Sequence, residues 1–231
     1  MMTILDAIKE RHSVRSYTGT PIEQEKVEAL RALVGECNQQ GNLHIQLITN
    51  DPTAFDSRLA RYGKFSGVSN YLAMIGPKGV ELDEAIGYYG ERLVLAAQMM
   101  GLNSCWAGLT YKKNPAVLHI ADGEKLRCVI ALGYGTTPGV AHKIKTIGQV
   151  TKVAGAMPDW FRRGVEAALL APTAINQQQF TFTLLDAHTV EAKAGWGFFS
   201  RVDLGIVKYH FEVAAGAGSF VWHRPAPHSD R

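Results

Sequence analysis

Cysteine and charge are both scarce in this sequence, and each shortage excludes a class of protein. The three cysteines among 231 residues, Cys37, Cys105 and Cys128, are widely spaced and form no paired motif. We therefore expect neither a disulfide framework nor a zinc site, and we expect a cytoplasmic location. Charged residues make up 19% of the chain and the net charge is +3, without a long basic run. A nucleic-acid partner is not expected.

Long apolar runs are missing as well. The longest, such as LVLAAQMMG at residues 93–101, reach about half of the ~20 residues that span a bilayer. The start of the chain, MMTILDAIKERHSVRSY, lacks the basic and then apolar pattern of a signal peptide. We expect no membrane partner. The apolar fraction of 46% is ordinary for a globular protein and suffices for a sizeable core.

Side-chain catalytic machinery is a third absence. The sequence contains no HExxH motif, no GxxxxGK phosphate loop, no nucleophile with an evident base and no paired carboxylates. Its histidines are scattered, so we expect no metal site. Reactivity would then come from a cofactor that brings its own chemistry.

Helices and short strands interleave along the chain. The first helix is predicted at Ile4 to Glu10 with Thr3 as its cap, and a second from Pro21 to about Glu36. Thr20 and Glu23 would form a capping box at the start of the second helix. Further helices are predicted at 83–100, 158–170 and 202–216, and strands at 43–49, 70–76, 127–135 and 180–185. This order predicts an α/β or α+β fold.

Two pairs of similar segments indicate an internal repeat. VEALRALVGECNQQ (27–40) and VEAALLAPTAINQQ (165–178) share Val-Glu-Ala at the start and Asn-Gln-Gln at the end, without a gap. YGERLVLAAQMMG (89–101) and DLGIVKYHFEVAAG (203–216) form a weaker pair. We predict two related halves, residues 1–150 and a shortened 151–231. Two unrelated amphipathic helices of similar composition are the alternative.

The two halves differ in their polar residues. The first half opens with Arg11-His12-Ser13-Val14-Arg15, whereas the stretch before the second copy reads QVTKV. The second copy has Pro172-Thr173-Ala174 where the first has Val34-Gly35-Glu36. If the halves pack about a pseudo-two-fold axis, these sets would build one complete site between them.

The polar residues of the first half suit a phosphate. In an extended chain Arg11, Ser13 and Arg15 share one face, and arginines bind phosphate oxygens through paired, charge-assisted hydrogen bonds. The segment HKIK, His142 to Lys145, adds positive charge and would close around the same phosphate. The alternatives are cations that complement a helix C-terminus and a solvated surface patch.

Two other segments suit a flat ligand. In GLNSCWAGL (101–109), small residues flank Trp106, and Ala107 and Gly108 would present a peptide N–H to an acceptor atom. In APTAINQQQF (171–180), Pro172 to Asn176 offers backbone groups, and Asn176 and Gln178 offer amides to the edge of a heterocycle. The alternatives are a loop that returns to the core and a helix end with an Asx-type turn.

Taken in order, these segments resemble the nitroreductase family of flavin enzymes. RHSVR, the long helix before GLNSCWAG, the ALGYG strand and HKIK follow the family's order over residues 1–150. APTAINQQQF is similar to the family's Ala-Pro-Ser-x-x-Asn-x-Gln-Pro motif, with Thr173 for Ser and Gln179 for Pro. In typical members this motif comes early and reaches the flavin of a partner subunit. Its late position here resembles the single-chain nitroreductases of the TM type.

The resemblance implies an α+β fold, in which an antiparallel-rich sheet is flanked by helices and the two halves form an intramolecular pseudo-dimer. It also implies FMN, with phosphate ligands from the first half: Arg11, Ser13 and Arg15, aided by His142, Lys143 or Lys145. His12 would lie along the ribityl chain or ring edge, and the backbone of Ala107 and Gly108 would donate to flavin N5. The ring contacts implied for the second half are Pro172, Thr173, Ala174, Asn176 and Gln178.

The activity implied by the resemblance is a ping-pong reduction. NADH or NADPH would reduce the flavin and leave, and a flat electron-poor acceptor such as a nitroaromatic or quinone would then stack on the same ring, in a site shaped by Trp106 and Phe180. One complete site within the chain makes a monomer the expected state. The alternatives are a flavin-binding sensor or carrier without turnover, specialised chemistry such as dehalogenation or flavin breakdown, and a scaffold without a cofactor.

Overall fold

The computed structural model describes residues 2–223 of the protein. The helices are α1 (Ile4–Glu10), α2 (Gln24–Gly41), α3 (Arg58–Tyr62), α4 (Leu82–Met99), α5 (Ile147–Val150), α6 (Asp159–Leu169) and α7 (Ser200–Ala215). The strands are β1 (Gln46–Ile48), β2 (Asn70–Pro77), β3 (Asn103–Ala107), β4 (Glu124–Gly133), β5 (Thr151–Val153), β6 (Phe180–Leu184), β7 (Thr189–Ala194) and β8 (Val221–Trp222). Among the helices of this described part, none combines the length and hydropathy needed to cross a membrane.

The strands form two four-stranded sheets. The first has the order β1-β2-β4-β3 and is antiparallel throughout. The second has the order β5-β6-β7-β8, with an antiparallel pair at its centre and a parallel pair on each side. Helices together with mainly antiparallel sheets confirm the predicted α+β class.

The beginnings of the first two helices test the predicted caps. Thr3 caps α1 with the predicted boundaries, and its side chain forms a capping box with Asp6. The second helix begins at Gln24, three positions later than predicted, and Glu23 caps it without a side-chain hydrogen bond. The predicted capping box was wrong because the Glu23 carboxylate accepts the hydroxyl of Tyr134 instead.

Residues 103–107 form strand β3, which the sequence pattern did not predict. They pair with β4 in an antiparallel ladder that sets Trp106 opposite Ile130. The extended chain after α1 adds to the same edge, since the N–H of Val14 donates to the carbonyl of Ser104 at 3.0 Å. The strand therefore holds the N-terminal RHSVR segment beside Ser104, two residues before Trp106.

Helices α4 and α7 cross where each has a glycine. A Cβ atom at Gly87 would lie 1.9 Å from the carbonyl oxygen of Val202, and one at Gly205 would lie 2.0 Å from that of Glu84. The contact is reciprocal, because Gly205 follows Gly87 by the same number of positions as Val202 follows Glu84. Such an exchange is what a local pseudo-two-fold axis produces. It supports the predicted pseudo-dimer, which stays a prediction.

One hydrophobic cluster joins the two predicted halves. Met74 and Ile86 belong to the same buried cluster as Phe161, Phe182 and Phe211. The predicted division after residue 150 falls at the end of α5, and residues 224–231 of the second part lie outside the described residues. Because apolar surface of both parts is buried in one cluster, neither part would keep its core covered alone.

Candidate cofactor site

Three segments that are far apart in the sequence line one cavity of about 570 Å³. Ser13 and Arg15 come from the N-terminal segment, Trp106 to Gly108 from the end of β3, and Pro172 to Ala174 from the late turn. The volume lies within the range of roughly 300–1,000 Å³ that is usual for small-molecule sites. The predicted convergence of the first and second halves is thus present in the fold.

The late turn has an unusual backbone. Pro172 follows the end of α6, and the next residues form a single 3-10 turn at Ala174–Asn176. Ile175, Asn176 and Gln178 all have positive φ, at 48°, 57° and 46°. For a β-branched residue such as isoleucine this conformation is strained and needs outside support. The turn, which lines the cavity with Pro172 to Ala174, therefore needs neighbouring residues to hold its conformation.

Asn176 and Gln178 supply part of that support. The side-chain amides of both residues donate to the carbonyl of Lys143, at 2.9 and 2.8 Å. The N–H of Lys145 donates to Oε1 of Gln178 at 2.9 Å, and its ammonium donates to the Gln178 carbonyl at 2.8 Å. The structure therefore uses these side chains to fasten the turn to the HKIK segment, and none of the four lines the cavity. Their predicted cofactor contacts stay predictions.

Arg11 is buried beside the cavity and does not line it. Its side chain is 2% exposed, and Nε lies 3.7 Å from Oε1 of Glu91, too far for a hydrogen bond. Nε has no hydrogen-bond partner within the described residues. A buried guanidinium in this state is suited to a further anion.

His12 and His142 lie close to the same guanidinium. Burial lowers the pKa of His142, and repulsion from Arg11 and His12 lowers it further. His142 Nε2 is 3.0 Å from the carbonyl oxygen of Leu169 at the end of α6. Burial and the charge of Arg11 likewise lower the pKa of His12. Three cationic or titratable groups, all from the first predicted half, are thus grouped beside the cavity, and none of the three lines it.

A buried polar network behind the cavity wall was missed from the sequence. The indole of Trp106 donates to Oε2 of Glu91 at 2.9 Å, and His210 Nε2 lies 2.9 Å from the other oxygen. His210 Nδ1 is 3.0 Å from the carbonyl oxygen of Ala167, so it carries a hydrogen. Glu91 is fully buried and fixes the Trp106 ring. A glutamate on the apolar face of the predicted helix 83–100 was the available signal.

The aromatic residues of the site also differ from the prediction. Phe180, expected at the acceptor site, lies in the core because its side chain points inward at the start of β6 and packs on Phe182. Phe198 and Phe199 line the cavity instead. The run GWGFF between a strand and a helix was the signal for this aromatic wall. Phe199 also stacks on the guanidinium of Arg127 at 4.0 Å.

The thiol of Cys128 lies in the cavity wall, and its surroundings disfavour the thiolate form that a nucleophile needs. Burial raises the pKa of Cys128 well above its usual value, and only Arg127 acts in the opposite direction. The thiol therefore stays protonated at neutral pH. This agrees with a site whose residues bind and orient, without a covalent nucleophile.

Similarity to known proteins identifies the family. A model of the family described as "Putative TM nitroreductase" matches residues 3–215. The chain belongs to this nitroreductase family. Membership places it among the oxidoreductases and agrees with the fold and with the order of its motifs.

Solved structures of family members share the fold. A "putative nitroreductase" of Thermotoga maritima has 20% identity and a TM-score of 0.64, over 92% of this chain and 83% of its own. A "putative nitroreductase in complex with fmn" from Desulfovibrio desulfuricans has 18% identity and a TM-score of 0.53, over 67% and 98%. A "Putative NADH dehydrogenase/NAD(P)H nitroreductase" of Parabacteroides distasonis has 21% identity and a TM-score of 0.51, over 64% and 95%. No curated protein matches the chain.

Proposed function

We propose that this family member is an FMN-dependent oxidoreductase that takes electrons from NADH or NADPH and reduces a flat, electron-poor acceptor such as a nitroaromatic or a quinone. The observation that carries the proposal is the convergence of the N-terminal segment, the end of β3 and the late turn on one cavity. The FMN complex of the Desulfovibrio relative supports the choice of cofactor.

The cationic end of the site supports an FMN phosphate. Arg11 is buried and its Nε has no hydrogen-bond partner among residues 2–223, while Arg15 and Ser13 from the same segment line the cavity. Ser13 and Arg15 would donate to a phosphate in the cavity, and a phosphate oxygen would also offer an acceptor to Nε of Arg11 behind the wall, through charge-assisted hydrogen bonds. The residues present therefore fit the phosphate of the proposed cofactor.

The opposite wall supports a flat ring. A Cβ atom at Gly108 would lie 2.4 Å from the ring of Phe199, so a larger residue would have to displace that ring, and glycine leaves room beside it. We assign the backbone of Ala107 and Gly108 the role of orienting flavin N5. The other ring contacts are assigned to Pro172, Thr173 and Ala174. When bound, FMN would supply hydride acceptance and hydride donation at N5.

The mouth of the cavity supports an aromatic acceptor. Tyr62, Leu109, Ile175 and Phe198 line the cavity and are exposed. Aromatic and aliphatic side chains at an open mouth favour a flat apolar molecule that enters after the nicotinamide has left. The chain would bind and orient both substrates over the same ring, and no side chain is assigned a covalent role.

Reconstitution with FMN tests the proposal. The purified protein, incubated with FMN and desalted, should retain an oxidised-flavin spectrum and melt at a higher temperature. Anaerobic NADH or NADPH should bleach that spectrum, and a soluble quinone should restore it. Retained flavin that neither nicotinamide bleaches would indicate a carrier or sensor. Protein that retains no flavin and shows no rise in melting temperature would contradict the proposed cofactor.

A further inference from the structure

Asp203, at the start of α7, lies in the wall of the same cavity and was not singled out from the sequence. Its side chain is 3% exposed. The N–H of Ala174 donates to Oδ1 at 3.0 Å, and the side-chain amide of Gln177 donates to Oδ2 at 2.7 Å. Each carboxylate oxygen therefore accepts one hydrogen bond from the late turn.

Gln177 extends this contact to the aromatic wall. Its Nε2, which donates to Asp203, also donates to the carbonyl of Phe198 at 2.9 Å. The two amide hydrogens of one NH₂ group thus join the turn, α7 and the loop before α7. We call Asp203, Gln177 and their bonds to Ala174 and Phe198 the carboxylate clasp.

The clasp holds the strained part of the turn. Ala174 directly precedes Ile175, which has a φ of 48° and is 96% exposed, so its side chain contributes little packing. On the other side of Asn176, Gln177 is fastened to the same carboxylate. Hydrogen bonds to Asp203 hold Ala174 and Gln177, the residues on either side of Ile175 and Asn176, and thereby stabilise the unfavourable backbone between them.

We propose that Asp203 and Gln177 are positioning residues that set the late turn against the flavin ring and Phe198 against the acceptor, and that the ionised form of Asp203 is required. This inference rests on the proposed function of the cavity. Both carboxylate oxygens face donors, so a proton on either oxygen would remove an acceptor that the clasp uses. In Asp203→Asn the new side-chain NH₂ group would face the NH₂ group of Gln177, so two donors would meet where a donor and an acceptor now pair.

The surroundings of Asp203 locate the pH range of this requirement. Burial raises the pKa of Asp203 to about 6, against the hydrogen bonds from Gln177 and Ala174. From β4 the thiol of Cys128 faces it, and the ion pair of Arg127 with Asp83 acts on the same thiol. Because the folded pKa exceeds the unfolded one, ionised Asp203 costs stability above pH 6, and that cost disappears as the pH falls toward 4. If the ionised form is required, as proposed, the clasp is closed above about pH 6 and opens as Asp203 gains a proton at lower pH.

Two variants separate the two roles of the clasp. Asp203→Asn should raise the Kd for FMN by about tenfold at pH 8, as expected for the loss of a charged hydrogen bond. Gln177→Ala keeps the Ala174 bond, so it should raise the KM for a quinone about fivefold with a smaller change in the FMN Kd. Flavin-fluorescence titration and steady-state kinetics measure these quantities.

The pH profile distinguishes positioning from a merely structural role. Between pH 8 and pH 5 the FMN Kd of the wild type should rise more than that of Asp203→Asn. The phosphate of FMN also titrates near pH 6, and the variant retains that contribution, so the difference between the two profiles belongs to Asp203. Glu84→Gln on α4, which removes a carboxylate paired with Lys208 of α7, is the matched control and should keep the wild-type profile.

Wild-type FMN affinity in Asp203→Asn at pH 8, or profiles that coincide, would overturn the inference while leaving the proposed function intact. Failure of the wild type to bind FMN would instead overturn the proposed function. If Asp203→Asn does not fold by circular dichroism, Gln177→Ala decides, and an unchanged quinone KM in that variant would refute the clasp.

Discussion

At the scale of single residues, Arg11 and Arg15 show how the same side chain acquires two environments within one short segment. Arg15 is exposed at the cavity, whereas Arg11 caps α1 and is buried against Glu91. Removal of Arg11 would leave the fully buried Glu91 without its nearby cation, a change that destabilises proteins strongly. Arg15 is therefore the better probe of cofactor binding.

Arg15→Ala should raise the Kd for FMN by about 10-fold to 100-fold, because a charged hydrogen bond contributes about 1.5–3 kcal/mol. Titration of FMN fluorescence measures the change. Arg162→Ala on the exposed surface of α6 is the control and should leave the Kd unchanged. Equal affinities of the Arg15 variant and the wild type would remove Arg15 from the phosphate site.

Ile175 offers a stability test at the same scale. Its left-handed backbone costs a β-branched residue about 1–2 kcal/mol, and its exposed side chain has little burial to lose. Ile175→Asn should therefore raise the free energy of unfolding by about 1 kcal/mol in urea denaturation. Val140→Asn, at a site that is also largely exposed but has no positive φ, should change it by less than about 0.5 kcal/mol. A loss of stability in Ile175→Asn would show that the turn is not strained there.

At the scale of elements, the two Asn-Gln-Gln segments show where sequence similarity stops predicting structure. Asn38 to Gln40 continue helix α2, which ends at Gly41. Asn176 to Gln178 lie in the late turn, with positive φ at two of the three positions. Proline disfavours helix in the residue before it, and α6 ends at Leu169, shortly before Pro172. One proline thus gives two segments of similar sequence different backbone conformations.

The crossing of α4 and α7 depends on glycine, and a pair of substitutions tests this. Gly205→Ala would place a methyl group 2.0 Å from the Glu84 carbonyl oxygen, so it should lower stability by about 2–3 kcal/mol or more. Gly35→Ala, at an exposed helical site with nothing within 4 Å, should raise it by about 0.5–1 kcal/mol. Thermal and urea denaturation give both values. Similar effects of the two substitutions would contradict the close crossing.

At the scale of the whole molecule, one chain contributes every segment of the proposed site. Ser13, Arg15, Trp106 to Gly108 and Pro172 to Ala174, which line the cavity, all come from this one chain. We expect one FMN per chain in a particle of monomer mass, measured by flavin absorbance and analytical ultracentrifugation. Flavin affinity should not depend on protein concentration. Retention of FMN by a dimer only would contradict a site completed within one chain.

The sequence by itself determined a mixed class, α/β or α+β, the motif order and three of the segments that line the cavity, because helix periodicity, proline and glycine act locally; the family resemblance narrowed the class to α+β. Local patterns also placed α1 and the end of α6 correctly. Only the tertiary structure decided that Arg11 is buried on Glu91, that Phe198 replaces Phe180 at the cavity, and that Asp203 holds the late turn. Those contacts join residues far apart in the chain, and their energies depend on burial and distance, which a linear pattern does not contain.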